Sequence, residues 1–438
     1  MDFRIALPTV NEADGGYTVE AELTFGDMSP YLWFRVPQAY QTSPDTIGDA
    51  FLASMLPVAM ARGENIVIDA PVSAKLLEAL PQIQSIYADW YPDVLTRVEI
   101  TAAEAVSAAP QGNRTVSCFT GGVDSFYSLV KHKDALDAVL YVDGFDVPLA
   151  NLVMSRTVKS TISAVASDYG KEATFLSTNL KWFTDKEVNW GLIAHGPALA
   201  SIGMILQGHV GTMYIPSTHS LKQMFPWGSH VLVDHLWSTE RLTFIHDGAD
   251  ASRVTKTQTI SHEGPAQRHL RVCWQNKGQY NCGRCEKCLR TMTALELLGV
   301  LEDFTVFPET DLPTAVGNLR IANRNGLEFQ LENLEYAQEI GSESPVVPGL
   351  IRSIDDFVAR KGLGGEVKPP FAGSLAAKQA RVRAELVALR KETAKLRKDA
   401  ARLTAENARL TARLAEAEKT LPQRARRRLG RIKRRFVR

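Results

Sequence analysis

Four of the five cysteines in this 438-residue chain lie close together, Cys273, Cys282, Cys285 and Cys288, in a C-x8-C-x2-C-x2-C spacing with Gly283 in the turn. Two such short spacings place four thiolates on a tight knuckle able to close a tetrahedron round Zn²⁺. Four soft ligands with no open position describe a structural site. A second constellation runs through CFTGGVDSFYSLVKH, residues 118–132, where a β-rich run meets Gly121, Gly122, Asp124 and Ser125 at the start of a helix. The glycines let backbone amides approach a phosphate with no Cβ in the way, and the helix N-terminus adds a partial positive charge. The arrangement suits a pyrophosphate. Neither a G-x-x-x-x-G-K-[ST] loop nor a G-x-G-x-x-G after the strand is present.

The elements that must position these residues follow from periodicity. From Arg114 onward, β-rich runs TVSCF, AVLYV, ATFLS, TMYIP and LTFIH alternate with helical segments at Val123–Lys131, Ser155–Tyr169 and Gly191–Gln207. That alternation predicts an α/β domain over 111–300, a five-stranded parallel sheet, doubly wound and covered on both faces, with ligands beyond the carboxyl ends of its strands. Residues 1–110 mix strand-like runs (Phe3–Pro8, Tyr17–Phe25, Tyr31–Val36) with helices near Asp49–Ala61 and Val72–Leu80, and read as a small N-terminal α/β domain. A helical extension covers 301–360. A Gly/Pro-broken linker follows at 361–373.

Thr120-Gly121-Gly122-Val123-Asp124-Ser125 resembles the S-G-G-x-D-S signature of the PP-loop ATP pyrophosphatases, with Thr for the first Ser. The resemblance implies cleavage of ATP between its α and β phosphates and adenylation of a substrate. Together with the late C-x8-C-G-x-C-x-x-C knuckle, it looks like the 7-cyano-7-deazaguanine synthase branch of that family, of which Arg290 is also reminiscent. Ser252-Arg253-Val254-Thr255-Lys256 resembles the T-K-x-E element that brings a lysine to the nucleotide phosphates, although Thr257 or Gln258 stands where the acid would be. The matching stretch runs from about Arg114 to Leu298. On this reading Asp124, Ser125 and Lys256 are catalytic, and Thr120, Gly121, Gly122, Val123, Asp124 and Ser125 hold ATP with Mg²⁺ at Asp124. The loop Val142-Asp143-Gly144 receives the adenine, with Phe145 able to stack and Asp143 and Asp146 equally readable as turn residues. The segment after the fourth strand offers His219, Lys222, Trp227, Ser229 and His230 as a pocket for a small carboxylic acid, with Tyr280 and Arg284 as further candidates. Each histidine reads equally well as structural.

Composition bounds the partners. The chain is 45% hydrophobic and 23% charged, which excludes disorder as the dominant state, and the start MDFRIALPTVNEADGG lacks a secretory pattern, so a cytoplasmic location with reduced thiols is expected. From Gly373 to Arg438 there are 21 Lys/Arg against 6 Asp/Glu. Leu375, Val382, Leu389, Leu396, Leu403 and Leu410 recur every seven residues, predicting a C-terminal coiled coil over 374–421 and a homodimer, with polar Asn407 at a companion core position. The tail 422–438 is basic with Leu429, Ile432 and Phe436 on one helical face, which points to an anionic membrane surface ahead of nucleic acid. The leading expectation is therefore an amide- or nitrile-forming ATP-dependent ligase acting on a small molecule or sugar acid, peripheral on the inner face of the membrane. Its alternatives are a transfer-RNA-modifying enzyme, a sulfurtransferase using Cys118, and a nucleotide-binding switch without turnover.

Overall fold

The structure, a computed structural model, describes residues 2–361 except 14, 27, 43–46, 276 and 277. The linker beyond Lys361, the coiled coil 374–421 and the basic tail 422–438 lie outside the described residues.

The strands are β1 (Phe3–Ile5), β2 (Thr9–Ala13), β3 (Gly16–Thr24), β4 (Tyr31–Pro37), β5 (Ile66–Ser73), β6 (Ile100–Val106), β7 (Arg114–Cys118), β8 (Ala138–Asp143), β9 (Glu172–Thr178), β10 (Val210–Pro216) and β11 (Thr243–Asp247). The helices are α1 (Gly48–Arg62), α2 (Ala74–Trp90), α3 (Val123–Lys131), α4 (Leu152–Asp168), α5 (Leu180–Thr184), α6 (His195–Ile205), α7 (Arg253–Ile260), α8 (Gly264–His269), α9 (Glu286–Leu297), α10 (Leu312–Gly317), α11 (Arg324–Glu339) and α12 (Val346–Arg360). A π-turn, Trp190–Ala194, leads into α6.

Strands β11-β10-β7-β8-β9 form a parallel block of five, as the alternation of apolar runs and helices predicts. Chain order reverses between β7 and β10, and a crevice opens at such a switch point beyond the carboxyl ends of the two strands. Both faces are covered. Leu140 and Val142 of β8 point into one apolar core, with Met213 and Phe244, whereas Val139 and Tyr141 point into the other, with Phe126 and Leu295.

The parallel block does not stop at its expected edge. β4 pairs antiparallel with β9, Phe34 opposite Thr178 and Arg35 opposite Ser177, and the sheet continues through β3, β1, β5 and β6. Residues 1–110 and 111–300, expected as neighbouring domains, thus share one sheet inside one compact unit, Met1–Phe357. Helix α1 is buried along nearly its whole length and packs on α6, which is why its sequence is apolar all round.

Two N-terminal strands differ from expectation. Where a helix was expected over Val72–Leu80, β5 occupies Ile66–Ser73 and α2 begins only at Ala74, because the Ser73 hydroxyl caps it by accepting the Leu76 N–H at 3.0 Å. β6, ITAAEAV, has no buried residue and carries three alanines and a glutamate between its β-branched ends, so its sequence carries little strand signal.

Candidate functional site

The loop between β7 and α3 stands at the switch point. Gly121 takes φ +76°, a left-handed conformation that a side chain would strain, and its carbonyl accepts the Arg271 N–H at 2.7 Å. Gly122 caps α3, and Ser125 folds back to donate to the Gly122 carbonyl at 3.0 Å. Asp124, on the first turn, receives Arg253 at 2.9 Å on one oxygen and Lys256 at 3.4 Å on the other. Arg253 and Lys256 are three residues apart on α7 and so share a face. Lys256 is almost fully buried and also donates to the Ser217 carbonyl at the end of β10, at 2.6 Å. Burial pushes the Asp124 carboxyl up, but Arg253, Lys256 and Arg290 overcome it, and the group titrates below its ordinary range. The Lys256 amine is pushed down by burial against the pull of Asp124.

Next to this loop opens a cavity of about 290 Å³ walled by Thr120, Gly122, Asp124, Asp146, Thr218 and Trp227, into which Arg253, Arg271, Lys287 and Arg290 bring four cations. Arg290 lies over the Phe329 ring at 3.9 Å and Arg253 over the same ring at 5.1 Å, so a single aromatic side chain from α11 holds two guanidinium groups. Burial first, and the Arg253 charge second, lower Arg290 to about 9. Arg253, Arg271 and Arg290 are buried and Lys287 is exposed, and these four cations outnumber the two carboxylates of the wall, Asp124 and Asp146, a balance that suits an anionic ligand.

A second cavity of about 230 Å³ shares Thr120, Asp124, Asp146, Thr218 and Lys287 with the first. Its remaining wall is apolar and aromatic, with Leu140, Val142, Phe145 and Trp190, and includes Cys118 and His195. A cationic chamber opening on an apolar one can hold a phosphorylated ligand bearing a flat base, and the combined space falls within the roughly 300–1,000 Å³ of small-molecule sites.

The four knuckle sulfurs lie within 4.8 Å of one another, with Cys282 and Cys288 3.8 Å apart. Zn–S bonds of about 2.3 Å in a tetrahedron require sulfurs about 3.8 Å apart, so the donor set fits a zinc ion. The Cys285 N–H points at the Cys282 sulfur at 3.3 Å, and Asn281 fixes the first limb by accepting the Val272 and Cys273 N–H groups. The knuckle is part of the cavity wall. Cys273 and Trp274 line the cationic chamber, and α9, for which Cys285 is the N-cap, carries Lys287 and Arg290.

The sequence-derived residues divide. Thr120, Gly122, Val123, Asp124, Ser125, Val142 and Trp227 line the two cavities, and Lys256 stands behind Asp124. Asp143 turns away to accept from Ser155 at 2.8 Å and to pair with Lys159, so its role is in holding α4. Gly144, at φ +98°, makes the turn. Lys222 is exposed and pairs with Glu335 at 2.8 Å, outside both cavities. Ser229 reaches the apolar cavity but donates to Asp234 at 2.6 Å, and His230 packs against Trp90 with its N–H on Asp234. His219 is buried between Phe225, Trp227 and Phe329, and burial followed by the Arg253 charge lowers it to about 3, so it is neutral. Tyr280 donates to the His269 carbonyl at 2.7 Å. The segment 226–228 is clamped by α2 and its end, through Tyr87 to the Gly228 carbonyl and Tyr91 to the Pro226 carbonyl, both 2.7 Å.

Arg253, Arg271, Lys287, Phe329 and His195 were not among the expected site residues. Arg253 and Lys287 each lie three residues from a flagged residue on the same helix, Lys256 and Arg290, a spacing that could have found them. Phe329 and Arg271 arrive by tertiary folding alone. Among the described residues no helix is long and apolar enough to cross a membrane. Comparisons of the chain with protein-family models, with curated proteins and with solved structures return no match.

Proposed function

We propose that this chain is an ATP-dependent adenylating enzyme of the PP-loop type that activates a carboxylate for amide formation. The observation that carries the reading is the convergence of Arg253, Arg271, Lys287 and Arg290 on a chamber bounded by the 120–125 loop at the sheet's switch point. A triphosphate carries about as many negative charges as this chamber has cations, and the neighbouring apolar cavity, with Phe145 and Trp190, suits an adenine.

In this reading an acceptor carboxylate oxygen attacks the α-phosphorus, a new P–O bond forms, and the bond to the bridging α–β oxygen breaks with its electron pair leaving on pyrophosphate. Ammonia or an amine then attacks the acyl carbon, AMP departs with the electron pair of the C–O bond, and the ammonium proton is lost to solvent. The chain's contribution is positioning and charge neutralisation, with the arginines and lysines set before the charge develops. Asp124 supports this by fixing Arg253 and Lys256. Both its oxygens are engaged by those cations, so it does not present the free carboxylate expected for Mg²⁺, and no step is assigned to the ion at this residue. Zn²⁺ at Cys273, Cys282, Cys285 and Cys288 would hold α9 and its two cations in register. Cys118 is a poor sulfur carrier. Burial, with the Asp234 charge, pushes its thiol up to about 12, which favours amidation over sulfur transfer.

The test is product identity. ATP with Mg²⁺, ammonia and a panel of carboxylic acids, sugar acids and transfer RNA is expected to give AMP and pyrophosphate in equal amounts with one class of acceptor. Lys256→Met is expected to slow release by about 10²-fold or more, as loss of a preorganised charge does. ADP and phosphate as products would contradict the reading, and bound nucleotide left intact under every challenge would favour the binding switch.

A further inference from the structure

A third cavity, of about 650 Å³, lies outside the cationic chamber and shares Trp227 and Asn325 with it. Leu192, Met224 and Phe225 form its apolar side, and Lys222, Gln223, Asn323, Arg324 and Glu328 its polar side. Three buried polar atoms there have no hydrogen-bond partner, the Trp227 indole nitrogen, the Gln223 Oε1 and the Asn325 Oδ1. The Gln223 amide is oriented by its nitrogen, which donates to the Glu328 carbonyl at 3.4 Å, so its oxygen is left as an acceptor. Unmade hydrogen bonds at buried groups are costly, and a cluster of three at one cavity points to a ligand that makes them.

The chemistry of that ligand can be read from the wall. Two acceptors, Gln223 and Asn325, call for hydroxyl or N–H donors, and the indole N–H calls for an oxygen acceptor. The rings of Phe225 and Trp227, 5.5 Å apart and tilted at 66°, offer an apolar face for C–H groups. A ring with hydroxyls at its edge and C–H bonds on its face satisfies both sides, whereas a purely apolar body would leave the three polar atoms unpaired. Trp227 and Asn325 line both cavities, so the vestibule adjoins the chamber of four cations, toward which a carboxylate on that ring is drawn.

We propose that this vestibule binds the polyhydroxylated body of a sugar acid, with its carboxylate directed past Trp227 and Asn325 into the cationic chamber. The proposal rests on the adenylation reading for its order of events and adds to it the acceptor class and the residues, Gln223, Trp227 and Asn325, that select it. It relocates the acceptor site expected at His219, Lys222, Trp227, Ser229 and His230. Of those, Trp227 and Lys222 line the vestibule, and Gln223 from the same segment and Asn325 from α11 take the place of His219, Ser229 and His230.

The test is calorimetric titration of the full chain, first with α,β-methylene-ATP and Mg²⁺, then with D-glucuronate, D-galacturonate or N-acetylneuraminate on the saturated protein, with cyclohexanecarboxylate as the acid lacking hydroxyls. At least one sugar acid is expected to bind at least about tenfold more tightly than cyclohexanecarboxylate. Gln223→Ala and Trp227→Phe are each expected to weaken that sugar acid by about five- to tenfold, the loss of one hydrogen bond. Binding of the nucleotide analogue with no sugar acid bound, with equal affinity for all the acids, or with both variants binding like wild type would overturn the proposal and leave the nucleotide site standing. Failure of the analogue itself to bind would overturn the adenylation reading. Sugar-acid binding that is still lost in both variants would uphold the vestibule without it.

Discussion

Asp124 illustrates how a residue identified from a motif takes its role from partners that the motif does not contain. The carboxylate is held between Arg253 and Lys256, and both cations come from α7, more than a hundred positions away. The same holds for Cys118. As a lone thiol preceding a glycine loop it is a formal candidate nucleophile, yet in the fold it is buried in the wall of the apolar cavity, and burial with the Asp234 charge raises it to about 12. Native protein at pH 7.5 is expected to leave Cys118 unmodified by iodoacetamide over hours while denatured protein reacts within minutes, as peptide mass mapping would show. Rapid native alkylation at Cys118 would restore the sulfur-transfer alternative. What was legible at this scale was the local chemistry, the knuckle spacing and the glycine pair. Phe329, under two arginines, carried no local signal, because a phenylalanine on an amphipathic helix reads only as core.

At the scale of elements, the cysteine knuckle and α9 form one device, since the last of the four cysteines, Cys288, lies between Lys287 and Arg290 on the helix that delivers both cations. Cys285→Ser is therefore expected to lose bound zinc and to weaken nucleotide binding by at least tenfold, beyond its effect on stability, which for a small structural zinc site is about 10 kcal/mol of metal-linked folding free energy. Metal analysis beside nucleotide titration checks this, and full zinc content in the variant would remove the knuckle from the account. Helix α1 makes a second prediction. Asp49 is buried on it, accepting the Ser73 N–H at 2.7 Å and Gln207 at 2.9 Å, and burial raises its carboxyl to about 6 against those two bonds. A raised carboxyl favours the folded state when protonated, so its contribution is full below about pH 4 and is lost as pH rises through about 6. Between pH 5 and 8 the wild type is expected to lose about 1.4 kcal/mol relative to Asp49→Asn, measured by urea unfolding at each pH. Parallel pH profiles for the two proteins would count against the shift.

At the scale of the whole molecule, the parallel block and its helices were readable because each strand and helix declares itself by period, while the merging of residues 1–110 into the same sheet was not. That merging depends on β4 pairing with β9 and on α1 packing against α6, contacts between segments more than a hundred residues apart with no periodic signature. Tyr40 reinforces it through Thr174 at 3.0 Å, and Arg114 reaches both Tyr40 and Glu172. A fragment starting at residue 111 would expose the β9 edge and the apolar face of α6. It is expected to be insoluble or to unfold without cooperativity, whereas 1–361 should unfold in one transition with nucleotide affinity intact. A cooperatively folded 111–361 fragment would separate the two regions after all.

Whether the switch-point chamber receives a nucleoside triphosphate is decided by titration of α,β-methylene-ATP with Mg²⁺ into the full chain and into Arg253→Ala. One molecule is expected to bind per chain, with affinity falling at least about tenfold in the variant and falling further as salt is raised, as the loss of a buried phosphate contact requires. Absence of binding to the wild type, or equal affinity in the two proteins, would contradict the account.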